Sequence, residues 1–297
     1  MKRGKAMKKK QILAGVLALL FSVAPISVQA AIVGNIKGHT PKAEVNISKQ
    51  AYIPVLMYHH FIPRGAGEGN NAVLFVDELE EQLQYFKEQG YTMISLEELD
   101  AILQKQEQLD RRGKRMGLPK KYLCITIDDG YYSNYELGFP LFEKYQTPVS
   151  IFAITDMVTN QTGLRKFTWE QANEMEQTDY VRIYSHTGNH KPLKEGEENA
   201  FLLSLKESEQ ALTEFLERKE RVRAMSYPNG QYTPLSQQAL KKDGYAMQFT
   251  IEEGVITNET KREGIPRITV VSGMDGKAVE KTIEKAAQKT FCKAKGA

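Results

Sequence analysis

The chain has 297 residues, of which 41% are hydrophobic and 26% are charged, as in an ordinary globular protein. Its formal net charge is +3, but six of its 40 Lys and Arg lie in the first 30 residues, which hold no acidic residue. Without that segment the charge is −3, and no basic stripe indicates nucleic-acid binding. Two cysteines, Cys124 and Cys292, are too few for a disulfide framework.

The N-terminus has the pattern of an export signal. A basic start precedes an uncharged apolar run over residues 12–28, and Val28-Gln29-Ala30 has the small-x-small ending of a cleavage site. An uncleaved anchor or a buried helix is the alternative, but the strongly apolar part is short and Pro25 interrupts the run. We therefore predict a signal peptide over residues 1–30, a linker over 31–50 and a secreted or cell-wall-associated protein.

From residue 51 onward, short apolar runs rich in β-branched residues alternate with amphipathic stretches. This alternation is typical of repeated βα units and a largely parallel sheet. Helix starts are indicated by a Glu three residues after Asp77 and after Ser95, and by Pro234 directly after Thr233. The predicted strands are Pro54–Tyr58, Tyr91–Ser95, Tyr122–Ile127, Val149–Ile154, Val181–Ser185, Ala224–Tyr227, Tyr245–Thr250 and Ile265–Val271.

Seven to eight such units fit a (β/α) barrel better than a doubly wound sheet. We predict an α/β fold, a distorted (β/α) barrel, for a single domain over residues 51–297. In such barrels the loops after the strands carry the active site. Functional residues should therefore cluster where the predicted strands end.

Two adjacent carboxylates, Asp128 and Asp129, follow the predicted strand Tyr122–Ile127. Neighbouring residues of an extended chain point in opposite directions, so the two serve one site only if the backbone turns there. Gly130 supplies the freedom to turn. Taken alone, however, Asp-Asp-Gly is more often a solvated turn.

Histidines follow two other predicted strands. His186 and His190 come directly after Val181–Ser185, where Gly188 and Asn189 favour a loop over a helix. Taken alone, this pair fits a metal site and a surface loop equally well. His59 and His60 end the first strand, and either one has the near-neutral pKa of a proton donor.

Together these clusters make a hydrolytic constellation. Two imidazoles and one carboxylate bind Zn²⁺ or a similar divalent ion and leave a position open for water. The ion acidifies that water and polarises a carbonyl, while the other aspartate takes the proton and a histidine protonates the leaving group. The pattern predicts metal-assisted hydrolysis of an acyl bond.

At these motifs the sequence resembles the polysaccharide deacetylases with a NodB-homology domain. Thr126-Ile127-Asp128-Asp129-Gly130 resembles their Thr-Phe-Asp-Asp-Gly motif, and His186-Thr187-Gly188-Asn189-His190 resembles their His-Ser/Thr-x-x-His motif. The resemblance implies that Asp128 is the catalytic base and that Asp129, His186 and His190 bind the metal. Zn²⁺ is the expected ion, and Co²⁺ and Ni²⁺ also accept such ligands.

Other family motifs match less closely. Ser226-Tyr227-Pro228-Asn229-Gly230 resembles the third motif, and the resemblance gives the oxyanion-binding backbone N–H to Tyr227. The arginine that many members carry just before this motif is absent. Arg267 either takes its place beside Asp128 or forms a structural ion pair.

No histidine follows His190. The chain therefore resembles the subgroup acting on poly-N-acetylglucosamine, in which a Tyr-His pair at the first strand supplies the acid. His59 is then the preferred acid, with His60 second. Tyr131, Tyr132 and Trp169 are candidates for sugar platforms or for core packing.

The resemblance implies removal of N-acetyl groups from a polysaccharide that contains N-acetylglucosamine. Two alternatives stay open: an O-acetyl esterase of the same fold and a glycan-binding relic without activity. The expected partner is the acetylated polysaccharide. We further expect a monomer with no membrane span after signal cleavage.

Overall fold

The computed structural model describes residues 47–114, 117–217 and 221–294. The predicted signal peptide lies outside the described residues, as does the predicted linker up to residue 46. What is described lies within one compact unit, residues 42–297.

Within these ranges the chain alternates strands with helices, as predicted. The strands are β1 (Val55–Tyr58), β2 (His60–Ile62), β3 (Val73–Phe75), β4 (Thr92–Met93), β5 (Tyr122–Asp129), β6 (Val149–Ala153), β7 (Val181–Ser185), β8 (Ala224–Ser226), β9 (Met247–Glu253) and β10 (Ile265–Thr269). The helices are α1 (Val76–Glu88), α2 (Leu96–Asp110), α3 (Phe139–Lys144), α4 (Trp169–Glu176), α5 (Glu198–Phe215), α6 (Pro234–Lys242) and α7 (Gly276–Ala294). Short 3₁₀ helices lie at Ile47–Lys49, Thr155–Met157, Pro228–Gly230 and Arg262–Gly264, and a π-helical turn lies at Asn134–Gly138.

The sheet closes on itself because β1 pairs with β10 on one side and with β5 on the other. The ring runs β1, β5, β6, β7, β8, β9, β10, and its neighbours are parallel. Strand β4 joins the start of β5 outside the ring. The closure is uneven, because β7 and β8 share one residue pair and the β9–β10 register shifts. The predicted distorted (β/α) barrel is confirmed.

Each of the eight predicted strands overlaps a strand of this sheet. The pair β2 and β3 was not predicted, because three-residue runs carry no periodicity. The capping boxes at Ser95 and Thr233 are present. The predicted box at Asp77 is wrong: α1 begins at Val76 directly after β3, and Asp77 lies in its first turn.

Alternate residues of the strands pack on opposite faces of the sheet. On β5, Leu123, Ile125 and Ile127 belong to the core formed with the outer helices. Cys124 belongs to a second apolar cluster with Phe152 of β6 and other strand residues, inside the barrel. Further along β5, Thr126 and Asp128 share the parity of Cys124, so the strand delivers polar groups into the barrel at its carboxyl end.

Candidate active site

The carboxyl ends of β5 and β7 bring the three predicted metal ligands together. The ligand atoms that Asp129, His186 and His190 offer lie within 4.8 Å of one another. Asp129 Oδ1 is 3.6 Å from Nε2 of each histidine. Donors about 2.0–2.1 Å from one Zn²⁺ in tetrahedral geometry are about 3.4 Å apart. The residues present therefore fit a small divalent ion without rearrangement of the backbone.

A backbone turn gives both aspartates access to this site. Asp129 has φ 76° and Gly130 has φ 70°, so the turn begins one residue before the glycine. Aspartate tolerates this left-handed region better than most residues. A Cβ at Gly130 would lie 3.1 Å from the Phe167 ring and 3.2 Å from Ala153, so both conformation and space favour glycine.

The histidine segment is a loop, as predicted, with positive φ at Thr187 and His190. Its backbone is held by hydroxyl groups: His190 N–H donates to Thr187 Oγ1 over 3.1 Å, and Gly188 N–H donates to Ser204 Oγ over 3.1 Å. Gly188 packs closely against Asp156, since a Cβ here would come within 2.8 Å of Asp156 Oδ1 and the aspartate side chain would have to move. These contacts direct both imidazoles toward Asp129.

The hydrogen bonding of His186 prepares it as a ligand. Its Nδ1 is 2.8 Å from the Ser226 carbonyl oxygen, which only accepts, so Nδ1 carries the proton and Nε2 keeps its lone pair. Burial lowers the pKa of His186, and this outweighs the attraction of Asp128 and Asp129. The ring is therefore neutral, as metal binding requires.

Asp128 is buried against Arg267 in a two-pronged ion pair. Nη1 donates to Oδ1 and Nη2 donates to Oδ2, each over 2.7 Å. Arg267 also donates to Ser226 Oγ and to the Thr250 carbonyl, so its fork is fixed. Burial would raise the pKa of Asp128, but attraction to Arg267 dominates and lowers it. Arg267 was expected either to lie beside Asp128 or to form a structural ion pair elsewhere, and it lies beside Asp128.

The two candidate acids differ in their surroundings. His60 Nδ1 is 2.8 Å from Ser133 Oγ, and burial followed by the charge of Lys166 lowers the pKa of His60. His59 Nδ1 is buried and has no hydrogen-bond partner in the described part of the chain. His59 is close enough to Asp128 for their charges to interact. The uncommitted nitrogen favours His59 over His60 as the proton carrier.

The backbone role predicted for Tyr227 does not fit this structure. Its N–H donates to the Phe249 carbonyl over 3.0 Å as part of the β8–β9 ladder, so it is not free for an oxyanion. Its side chain packs on Phe201 and donates to Gln248. After Pro228, which has no N–H, the next donor belongs to Asn229 at φ 52°, and it forms no hydrogen bond within the described ranges.

The aromatic residues considered as sugar platforms each have one ring face in contact with another side chain. Trp169 stacks on Phe215 with ring centroids 4.9 Å apart and packs against the core. The Arg165 guanidinium lies 3.9 Å from the Tyr132 ring centroid. Tyr131 is covered by a lysine, described below. Core and cation–π packing therefore account for all three better than sugar stacking does.

Sequence reasoning missed Lys166, which is only 4% exposed. Its Nζ lies 3.5 Å from the Tyr131 ring centroid, and burial lowers its pKa to about 8 against the attraction of Asp129. The pair Arg165-Lys166 looks like any solvated charge run in the sequence. The signal that could have found it is the apolar pair Phe167 and Trp169 directly after it, which places the segment against the core.

The part of the chain that matches known proteins contains the candidate active site. A sequence model of the family described as polysaccharide deacetylase matches residues 115–248, which contain the Asp and His motifs. The chain is 30% identical over 216 residues to the poly-β-1,6-N-acetyl-D-glucosamine N-deacetylase of Staphylococcus epidermidis, covering 69% of this chain and 71% of that protein. The chain belongs to the polysaccharide deacetylase family.

Other members of the family align as broadly. The putative polysaccharide deacetylase YxkH of Bacillus subtilis is 29% identical over 245 residues, covering 82% of this chain and 80% of its own. The structure of IcaB from Ammonifex degensii matches with a TM-score of 0.62 and 26% identity over 74% of this chain and 92% of that one. The Streptococcus pyogenes deacetylase PplD, solved with acetate, shares the fold: TM-score 0.66, 24% identity, 79% of this chain and 99% of that one.

Among the described residues, no helix combines the length and apolar composition needed to cross a bilayer.

Proposed function

We propose that this protein is a secreted, metal-dependent deacetylase that removes N-acetyl groups from a polysaccharide containing N-acetylglucosamine. The observation that carries the proposal is the convergence of Asp129, His186 and His190 on one point, with Asp128 beside them. Relatives that are poly-β-1,6-N-acetyl-D-glucosamine N-deacetylases support the substrate class. The catalytic domain would span residues 51–297, after a signal peptide over 1–30 and a linker over 31–50.

Asp129, His186 and His190 would hold the metal. Zn²⁺ suits two imidazoles and one carboxylate best, and Co²⁺ and Ni²⁺ are also compatible. A divalent ion bound there lowers the pKa of a water molecule and polarises the acetyl carbonyl.

Asp128 would accept the proton of the attacking water. Its Oδ2 lies 3.9 Å from His186 Nε2, so the carboxylate is next to the ligand cluster. Arg267 keeps it ionised and fixes its direction, at the expense of basicity. A weak base would be enough here, because a bound metal would acidify the water and so reduce the basicity required of Asp128.

Two further groups complete the reaction. His59, whose Nδ1 has no partner in the described chain, would protonate the departing amine. The Asn229 N–H, which is likewise not engaged in the described ranges, would donate to the developing oxyanion in place of Tyr227. Acetate and a glucosamine residue are the products.

The test is acetate release from N-acetylglucosamine oligomers by the purified chain loaded with Zn²⁺. We expect Asp128→Asn to lower kcat by about 10²–10⁴-fold, the usual contribution of a general base. Asp243→Asn is a matched control, because Asp243 is exposed and pairs with Arg223 away from the site. No acetate from any N-acetylated glycan, or full activity of Asp128→Asn, would contradict the proposal. Release from O-acetylated glycans alone would assign an esterase instead.

A further inference from the structure

Lys166 is a largely buried lysine that the proposed reaction does not use. Its side chain is 4% exposed, and within the described ranges its ammonium has neither a hydrogen-bond acceptor nor a carboxylate at ion-pair distance. The contact that it does make is with the face of Tyr131, 3.5 Å from the ring centroid.

The backbone fixes Lys166 next to the ligand cluster. Residues 165–167 run antiparallel to residues 130–132, which directly follow Asp129. Tyr132 N–H donates to the Arg165 carbonyl over 2.9 Å, and Phe167 N–H donates to the Gly130 carbonyl over 3.3 Å. The Tyr131 ring that the Lys166 ammonium contacts also packs against the His60 ring of β2, with centroids 4.9 Å apart. The ammonium therefore lies near His60 and near the strand end that carries Asp129, and its charge interacts with both residues.

A lysine in this position loses part of the hydration of its ammonium, a loss that hydrogen-bond acceptors would offset. An ammonium has three N–H donors and no acceptor, and burying a charge without partners is strongly unfavourable. The Tyr131 ring compensates for part of this, but it is not an oxygen acceptor. If the position only required packing, methionine would fill the same volume without the charge.

We propose that Lys166 binds the substrate, donating a hydrogen bond to a hydroxyl oxygen of the acetylated sugar. This inference rests on the proposed function. Neutral N-acetylglucosamine polymers carry hydroxyl groups but no anion, so the ammonium would meet uncharged oxygen acceptors. Lys166 is then a substrate-binding residue, and the cation–π contact with Tyr131 positions its ammonium.

The experiment compares wild type, Lys166→Met, Lys166→Gln and Lys166→Arg, each loaded with Zn²⁺, on N-acetylglucosamine oligomers. We expect Lys166→Met to lower kcat/KM by about 10- to 100-fold, mainly through KM, which is the range for losing a hydrogen bond to a charged group. Lys166→Arg should recover most of the loss. Lys121→Met is the matched control: Lys121 also lies over a tyrosine, 5.4 Å from the Tyr91 centroid, but it precedes β5 at the other end of the strand.

Calorimetry then measures how tightly the same oligomers bind to Asp128→Asn and to Asp128→Asn/Lys166→Met. Because both variants lack the proposed base, this measurement reports binding without turnover. Weaker binding in the double variant, with unchanged Zn²⁺ affinity and thermal midpoint, supports the proposal. A kcat/KM within threefold of wild type in Lys166→Met overturns it while leaving the proposed function intact. No acetate release by wild type overturns the proposed function itself. If Lys166→Met does not fold, equal activity of the Gln and Arg variants overturns the inference, and a loss in Gln alone supports it.

Discussion

Two layers of the barrel interior, built by the same strands, have opposite chemistry. The lower layer is apolar: Cys124 and Met247 are fully buried there among other hydrophobic side chains. The upper layer holds the buried ion pair of Asp128 and Arg267. Ser226, at the end of β8, donates to Asp128 and accepts from Arg267. Two steps of two residues along β5 lead from Cys124 to Asp128. One strand can therefore contribute a core residue near the middle of the barrel and a reactive residue at its carboxyl end.

The layers also depend on each other. An ion pair taken out of water contributes little to stability by itself, because desolvation offsets much of the attraction. The apolar layer beneath supplies burial free energy and keeps water away from the pair. The upper layer is thus arranged for ionisation and direction, and the lower one for stability. The following substitutions test that division, in order of decreasing expected effect.

Arg267→Met should damage both stability and activity. It leaves Asp128 buried without its cation, which costs about 3–5 kcal/mol. Urea unfolding measures the loss, and kcat on acetylated oligomers should fall with it. Because pairing lowers the folded pKa of Asp128, its contribution to wild-type stability is present above the unfolded pKa of about 4 and is lost as the pH falls. This pH dependence should be much weaker in Arg267→Met.

A control for this substitution is the double variant Asp128→Asn/Arg267→Met. It removes both charges and should be more stable than Arg267→Met alone. If Arg267→Met keeps wild-type stability at neutral pH, the pair has no structural role.

His186→Ala should act on metal affinity rather than on the fold of the lower layer. Losing one of three ligands should weaken Zn²⁺ binding by about 100-fold or more, beyond the 10- to 100-fold typical of residues that only orient a ligand. Competition with a chromogenic chelator measures this change. His60→Ala is the matched control, because His60 bonds to Ser133 and is not in the ligand cluster. Equal weakening in both variants would remove the ligand assignment.

Phe249→Leu tests the contact between the layers, because Phe249 pairs with Ser226 and packs on Phe152, whose ring centroid lies 5.8 Å from the Arg267 guanidinium. The Phe249 ring packs 5.3 Å from that of Phe152, so truncation should leave a small void and cost about 1–2 kcal/mol. Differential scanning calorimetry should show a lower Tm, while kcat per folded molecule stays within about twofold. A large loss of kcat with little loss of stability would show that the two layers are not separate.

Ser204→Ala should have the smallest effect. Ser204 Oγ accepts the N–H of Gly188 and of Asn189, but the Gly188 N–H also donates to the Ser204 carbonyl over 3.2 Å, so the substitution deprives the Asn189 N–H of its acceptor. We expect about 1–2 kcal/mol of destabilisation confined to the histidine loop, and a modest decrease in Zn²⁺ affinity. Hydrogen exchange at Asn189 follows the local change, with Ser272→Ala, at a half-buried serine outside this loop, as the control. Unchanged exchange would mean that the loop does not depend on α5.

Much of this molecule was predictable because its signals are local. The strands of the barrel follow from apolar runs a few residues long, and Asp128, Asp129, His186 and His190 follow from motifs at their ends. The role assigned to Tyr227 was wrong because strand pairing engages its N–H with Phe249, and a motif contains no pairing information. Lys166 was missed because its burial depends on a bridge to Tyr131, 35 positions earlier.

The sequence by itself therefore determined the fold class, the family and the residue types of the site, since period-two runs and short motifs are properties of neighbouring residues. Only the tertiary structure decided which groups are free to act. It directed both aspartates to one side by a turn at Asp129, set the tautomer of His186 through Ser226 and engaged Arg267 with Asp128. The physical reason is that hydrogen-bond partners and burial come from segments far apart in the chain, and these set the charge and availability of each group.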